Sequence, residues 1–149
     1  MSENIRLDDP ILYTLAQFKA SGFTYGSVIA TEWFSQCFGI KPPTTIPEAD
    51  QAKMLYATYL GQFRTKLLVE CKMALRTKAG VGQEVVHPKE QTSWAMDEAK
   101  NAITKELERA RDRLAYVNSN ELNDSERKEN TDAIAKLSFF SRKAAKELP

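Results

Sequence analysis

Apolar residues recurring at gaps of three and four positions, interrupted by one short stretch of period two, predict a mainly helical chain with a small β-hairpin. The first helix spans about 10–20. Asp9 caps it, Pro10 suits its first position, Ile11, Leu12, Leu15 and Phe18 share one face, and Gly22 stops it. Residues 23–29 are few, aromatic and β-branched, which fits either a strand or a tight turn. Thr31 is the expected cap of a second helix, with Trp33, Phe34, Cys37 and Phe38 on its apolar face and Gly39 as its left-handed end. Pro42, Pro43 and Pro47 predict a non-helical loop over 41–47, since each removes a donor and biases its predecessor toward extended backbone.

The third helix is expected over 48–71, with Leu55, Tyr56, Tyr59, Leu60, Phe63, Leu67 and Cys71 forming an apolar stripe. Gln51, Met54, Thr58, Gly61, Gln62 and Thr65 fall on the opposite face, and Lys53, Arg64 and Lys66 lie at the borders. Period two then takes over at 73–77 and 83–87, on either side of Ala79, Gly80, Val81 and Gly82, whose glycines permit the positive φ of a turn. A fourth helix is expected over 89–118, carrying Met96, Ala99, Ile103, Leu107, Ala110, Leu114 and Val117. Asn123 and Glu126 have the spacing of a capping box and open a fifth helix containing Ile134, Leu137, Phe140, Ala144 and Leu148. The short connection predicts an antiparallel helical hairpin over 89–149, following a first domain over 1–88.

Charge changes this picture more than composition does. The 149 residues are 42% apolar and 28% charged, ordinary for a globular protein, and no apolar run reaches the length of a membrane helix. A cytoplasmic protein with no membrane contact is expected. Formal net charge is +1, yet residues 53–89 hold seven Lys/Arg against two Glu, a net of +5. Residues 1–52 carry −3 and residues 90–149 carry −1, so the basic charge is confined to the third helix, the hairpin and their immediate flank.

Three helices, the last one long, followed by a two-stranded hairpin: over about 9–88 this order resembles the winged helix-turn-helix superfamily of DNA-binding domains, with 48–71 as recognition helix and 77–83 as wing. The longer proline-rich connection between helices two and three departs from that pattern. The resemblance implies that helix three enters the major groove of double-stranded DNA while the wing meets the neighbouring backbone. Gln51, Thr58, Gln62 and Thr65 are then the candidate readers of base edges, and Lys53, Arg64, Lys66, Arg76, Lys78 and Lys89 the candidate phosphate contacts. Such a protein would regulate transcription or replication, and its overall look is similar to small proteins of bacteriophages and mobile elements.

A different class fits the same charge: a protein-binding inhibitor or adaptor that occupies a host enzyme or nucleoprotein complex. The apolar face of 89–149 exceeds what two helices can bury alone, so this segment is expected either to fold back or to form a homodimer. Trp33, Trp94, Tyr56 and Tyr59 could stack on bases, but most of them fall on apolar stripes and are assigned to packing. Cys37 and Cys71 are read as free thiols. His87 has no ligand partner near it in sequence, and no nucleophile elbow, phosphate loop or metal motif is present. Neither enzyme activity, nor a metal, nor a cofactor is expected.

Overall fold

The computed structural model describes residues 9–148. Helix α1, Pro10–Ser21, is capped by Asp9, whose Oδ1 accepts the amides of Ile11 and Leu12 at 2.9 and 3.2 Å, and it ends at Gly22 with φ 71°. The stretch left between strand and turn contains both: a turn brings Ser27 N–H to the Thr24 carbonyl, then strand β1 covers Val28–Ala30. Helix α2, Thr31–Phe38, follows at once. Its N-cap is Ala30, and Thr31 lies inside the first turn without capping it, because β1 leaves no room for a free residue ahead of the helix.

Helix α3 spans Ile46–Cys71, so the loop ends sooner than proline content implies. Ile46 and Pro47 belong to the first turn, where backbone N–H groups have no intrahelical acceptor and a proline costs little. Thr45 caps the helix by accepting Glu48 N–H, while Glu48 Oε2 accepts both the amide and the hydroxyl of Thr44 at 2.9 and 2.8 Å. Those bonds hold the Glu48 carboxyl below the usual carboxylate range, the Thr44 amide contributing most.

Strands β2, Leu75–Lys78, and β3, Gly82–Val85, form the expected hairpin, and β1 joins it to give an antiparallel sheet ordered β1-β3-β2. Registers are Ile29 opposite Gln83 and Arg76 opposite Glu84. Gly80 supplies the positive φ of the turn, but Gly82 has a different task. A Cβ there would stand 2.0 Å from the Ile29 carbonyl oxygen, so β1 can approach β3 only over a glycine.

The core lies where α1, α2 and α3 meet one face of the sheet. Phe34, Phe63, Leu67 and Val85 are fully buried, joined by Ile11, Leu15, Phe18, Ile29, Phe38, Leu60 and Leu75. Phe34 and Phe63 rings pack 5.8 Å apart, Phe18 and Phe63 5.9 Å apart, and Trp33 stands edge-on to Phe34 at 5.0 Å. Truncating either fully buried Phe to alanine would cost about 3–5 kcal/mol. Trp33, Tyr56 and Tyr59 pack against this cluster, whereas Leu55, assigned to the stripe from its spacing, lies exposed at its edge. Cys37 is buried and Cys71 half-buried, both as free thiols.

The chain divides into two compact units, Met1–Gln91 and Thr92–Pro149. Helix α4 spans Pro88–Ala115, a 3-10 turn covers Ser119–Glu121, and helix α5 spans Asp124–Glu147. The Asn123–Glu126 capping box forms in full, with bonds of 2.8 and 3.0 Å. Within the second unit Asn130 Nδ2 donates to the Leu114 carbonyl, and Arg127 Nε to that of Ser119. No residue of α4 or α5 is buried, so the apolar positions of both helices stay half-covered or open.

Candidate nucleic-acid interface

At about 100° per residue, positions 51, 54, 58, 62, 65 and 69 of α3 fall within one narrow arc, opposite the arc of Leu60, Phe63 and Leu67. All six are exposed. Gln51, Thr58, Gln62 and Thr65 therefore share one outward face, with Gly61 at its edge. Thr58 Oγ1 donates to the Met54 carbonyl at 2.9 Å and Thr65 Oγ1 to that of Gly61 at 3.2 Å. This fixes each hydroxyl against the helix and leaves oxygen lone pairs and a methyl turned outward. The face also carries Met54, 72% exposed, and Val69, 62% exposed, with Leu68 open beside it, while the exposed Ile46 points from another side of the first turn.

The cations divide by what they touch. Arg64, expected at the border as a phosphate contact, is directed inward: its Nη2 donates to Thr77 Oγ1 at 2.6 Å and to Gln83 Oε1. Gln83 is only 3% exposed, and its Nε2 donates in turn to Thr77 Oγ1 at 3.3 Å. This triad fastens α3 to β2 and β3, and sequence reasoning missed it because the partners lie 13 and 19 positions away.

Arg76 faces the other way. Its guanidinium bonds Glu84 across the strands at 3.0 Å and Glu90, in the first turn of α4, at 3.3 Å. The Glu84 hydrogen bond raises the Arg76 pKa further and holds the Glu84 carboxyl below its ordinary range. Lys66 pairs with Glu70 one turn on, at 3.2 Å. Lys53, Lys78 and Lys89 are exposed and form no ion pair with a carboxylate among the described residues.

Strand parity decides where the cations of the β2–β3 hairpin point. Leu75 and Thr77 face α3, so Arg76 and Lys78 leave from the opposite face of the sheet. Lys78 ends β2 beside the turn, where Val81 N–H meets its carbonyl at 3.0 Å and Val81 oxygen accepts Thr31 N–H. The outward stripe of α3 faces away from the sheet and Lys78 leaves from the sheet face away from α3, so the two do not share one surface, and Arg64 lies between them on the inner side.

The chain matches no known protein family, no curated protein and no solved structure.

A cleft of about 500 Å3 lies between α2 and the start of α3, floored by Ile40, Pro43, Ala49, Ala52 and Tyr56 and rimmed by Glu32 and Lys53. Burial pushes the Tyr56 phenol pKa up there. His87 packs on the first unit's turn, with Tyr25 6.3 Å from its ring and Nε2 3.0 Å from where a Cβ of Gly26 would be, and its carbonyl accepts the amides of Glu90 and Gln91 at the start of α4. Among the described residues no cluster of His, Cys, Asp or Glu is arranged to hold a metal ion, and no helix is long and apolar enough to cross a membrane.

Proposed function

We propose that residues 9–88 form a winged helix-turn-helix domain that binds double-stranded DNA, with α3 in the major groove and the β2–β3 turn beside the flanking backbone. The order α1, β1, α2, α3, β2, β3 with the sheet order β1-β3-β2 supports the domain type. One observation carries the binding mode: four hydrogen-bonding side chains, Gln51, Thr58, Gln62 and Thr65, occupy the outward arc of a helix whose other side is committed to the core. Gln51 and Thr65 stand 14 positions apart, about 21 Å along the helix, or roughly six base-pair steps. Gln is suited to the N6/N7 edge of adenine and the Thr methyl to thymine.

Lys53, Lys78 and Lys89 supply the phosphate contacts in this reading, with Arg64 positioning the wing against the helix. On the sheet's far face and beside the turn, Lys78 meets the backbone flanking the site rather than the bases. Three such contacts imply a log–log salt slope of about −3. Fluorescence anisotropy with labelled duplexes across salt tests this directly. Lys78→Ala should weaken all sequences evenly and reduce the slope by about 1, while Gln62→Ala should cost about 1–3 kcal/mol on a preferred sequence and little on others. A chain that shifts no duplex at low salt refutes the reading.

A second reading, a protein-binding adaptor or inhibitor using the same helix, is favoured by the exposed Met54, Val69, Ile46 and Leu68 and by the internal pairing of Lys66 and Arg76. A protein-binding face would keep its affinity at high salt and lose it in Met54→Asp. Residues 92–148 would then be the same antiparallel helical hairpin in either case, supported by the Asn130–Leu114 bond.

A further inference from the structure

What a DNA-binding α3 would read is set by the chemistry of its outward arc. Within about 60° of the arc's middle every position of the helix is uncharged, and Gln51, Met54, Thr58, Gln62, Thr65 and Val69 make up most of it. The nearest charges along α3, Glu48, Asp50 and Lys66, stand about 80° off. Two of them are engaged, Glu48 by Thr44 and Lys66 by Glu70 at 3.2 Å. Arg64 and Lys53 stand farther round, about 120° and 140° from the middle, and Arg64 donates to Thr77 and Gln83. Lys72 comes only at the C-cap, after the last helical position. No guanidinium or ammonium is therefore rooted in the arc itself.

That inventory favours one kind of base pair. On its major-groove edge guanine presents two adjacent acceptors, O6 and N7, which require two donors from an Arg or a Lys. Adenine presents N7 beside the N6 amino group, an acceptor and a donor, which match the amide of Gln51 or Gln62. The hydroxyls of Thr58 and Thr65 already donate to the carbonyls of Met54 and Gly61, 2.9 and 3.2 Å away. Outward they offer lone pairs, which an adenine amino group fills and a guanine edge does not. A cytosine amino group also fills them, but its guanine partner then faces no cation. Thymine carries a methyl that cytosine lacks, and the Thr methyls, Met54 and Val69 give it apolar contact.

We infer that the preferred target of α3 is a run of about six base pairs rich in A·T, read from the major groove. The inference rests on the DNA-binding reading and adds a sequence class to it. Each A·T pair exchanged for G·C inside the run should weaken binding about tenfold, and exchanges outside it much less.

Selection of the whole chain against duplexes with a randomised central segment, followed by fluorescence anisotropy on the enriched site, tests it. Inosine·cytosine pairs separate the two grooves, since they keep the minor-groove pattern of A·T but present the O6 and N7 acceptors of guanine in the major groove. The enriched site should be rich in A·T, and inosine·cytosine should weaken it as G·C does. Gln62 is exposed, so Gln62→Arg leaves the fold intact and should move the preference at one position from A·T to G·C. Binding to no duplex removes the DNA-binding reading and the inference together. Duplex binding with no base preference or with a G·C-rich site overturns the inference alone. So does inosine·cytosine accepted as well as A·T, or a Gln62→Arg chain that keeps the A·T preference at every position.

Discussion

Replacing Arg64 by leucine separates a structural role from a DNA-contacting one. Leucine keeps part of the apolar stem but removes the donor to Thr77 Oγ1 and Gln83 Oε1. Gln83 is nearly inaccessible, so its carbonyl oxygen loses a charged donor at a place where water does not replace it. Hydrogen bonds to charged groups contribute about 1.5–3 kcal/mol, and with the lost packing of the guanidinium the change should cost about 2–4 kcal/mol. For a unit of this size that is a fall in Tm of about 10–20 °C. Urea denaturation followed by tryptophan fluorescence and circular dichroism measures it. Gln83→Leu should be destabilising alone, and the double variant should be less destabilised than the sum by at least about 1 kcal/mol. Arg64→Leu within about 0.5 kcal/mol of wild type, with DNA affinity nonetheless lost, would refute the reasoning and return Arg64 to the phosphate contacts.

Other outcomes follow from the same geometry. Gly82→Ala should destabilise by more than about 2 kcal/mol, because its Cβ would collide with the Ile29 carbonyl, whereas Gly80→Ala should cost only about 1–2 kcal/mol for its left-handed φ; denaturation midpoints distinguish them. Glu84 has a folded pKa below its unfolded one, so its pairing with Arg76 stabilises the fold above the unfolded carboxylate pKa and is lost as pH falls through the lower folded value. Glu84→Gln should therefore flatten the acid limb of a stability-versus-pH curve measured from pH 7 downward.

Much of the fold was legible because the signals were local. Asp9, Gly22, Gly39 and the Asn123–Glu126 pair act at the helix ends where their chemistry places them. Pro47 misled because a proline forbidden inside a helix is welcome in its first turn, and Ile46 behind it completes that turn. Strand β1 was ambiguous because three residues carry too little periodicity, and only pairing with Gln83 and Gly82 decides it. Leu55 sat at the edge of an arc whose middle alone is buried. The candidate site was legible as a face but not as a network. The outward residues follow from helical spacing, while Arg64 is engaged by partners far along the chain. One signal was available and unused: strand alternation puts Arg76 and Lys78 on one side of the hairpin and Thr77 on the other.

The central claim is that the outward arc of α3 touches DNA. Backbone and side-chain amide NMR signals of the chain, recorded while an unlabelled duplex is added at low salt, test it most directly. The largest shifts are expected at the side-chain amides of Gln51 and Gln62 and at the backbone of Thr58, Thr65 and Lys78, fading as salt is raised. Shifts confined to residues 92–148, or no shifts at all at saturating duplex, would contradict it.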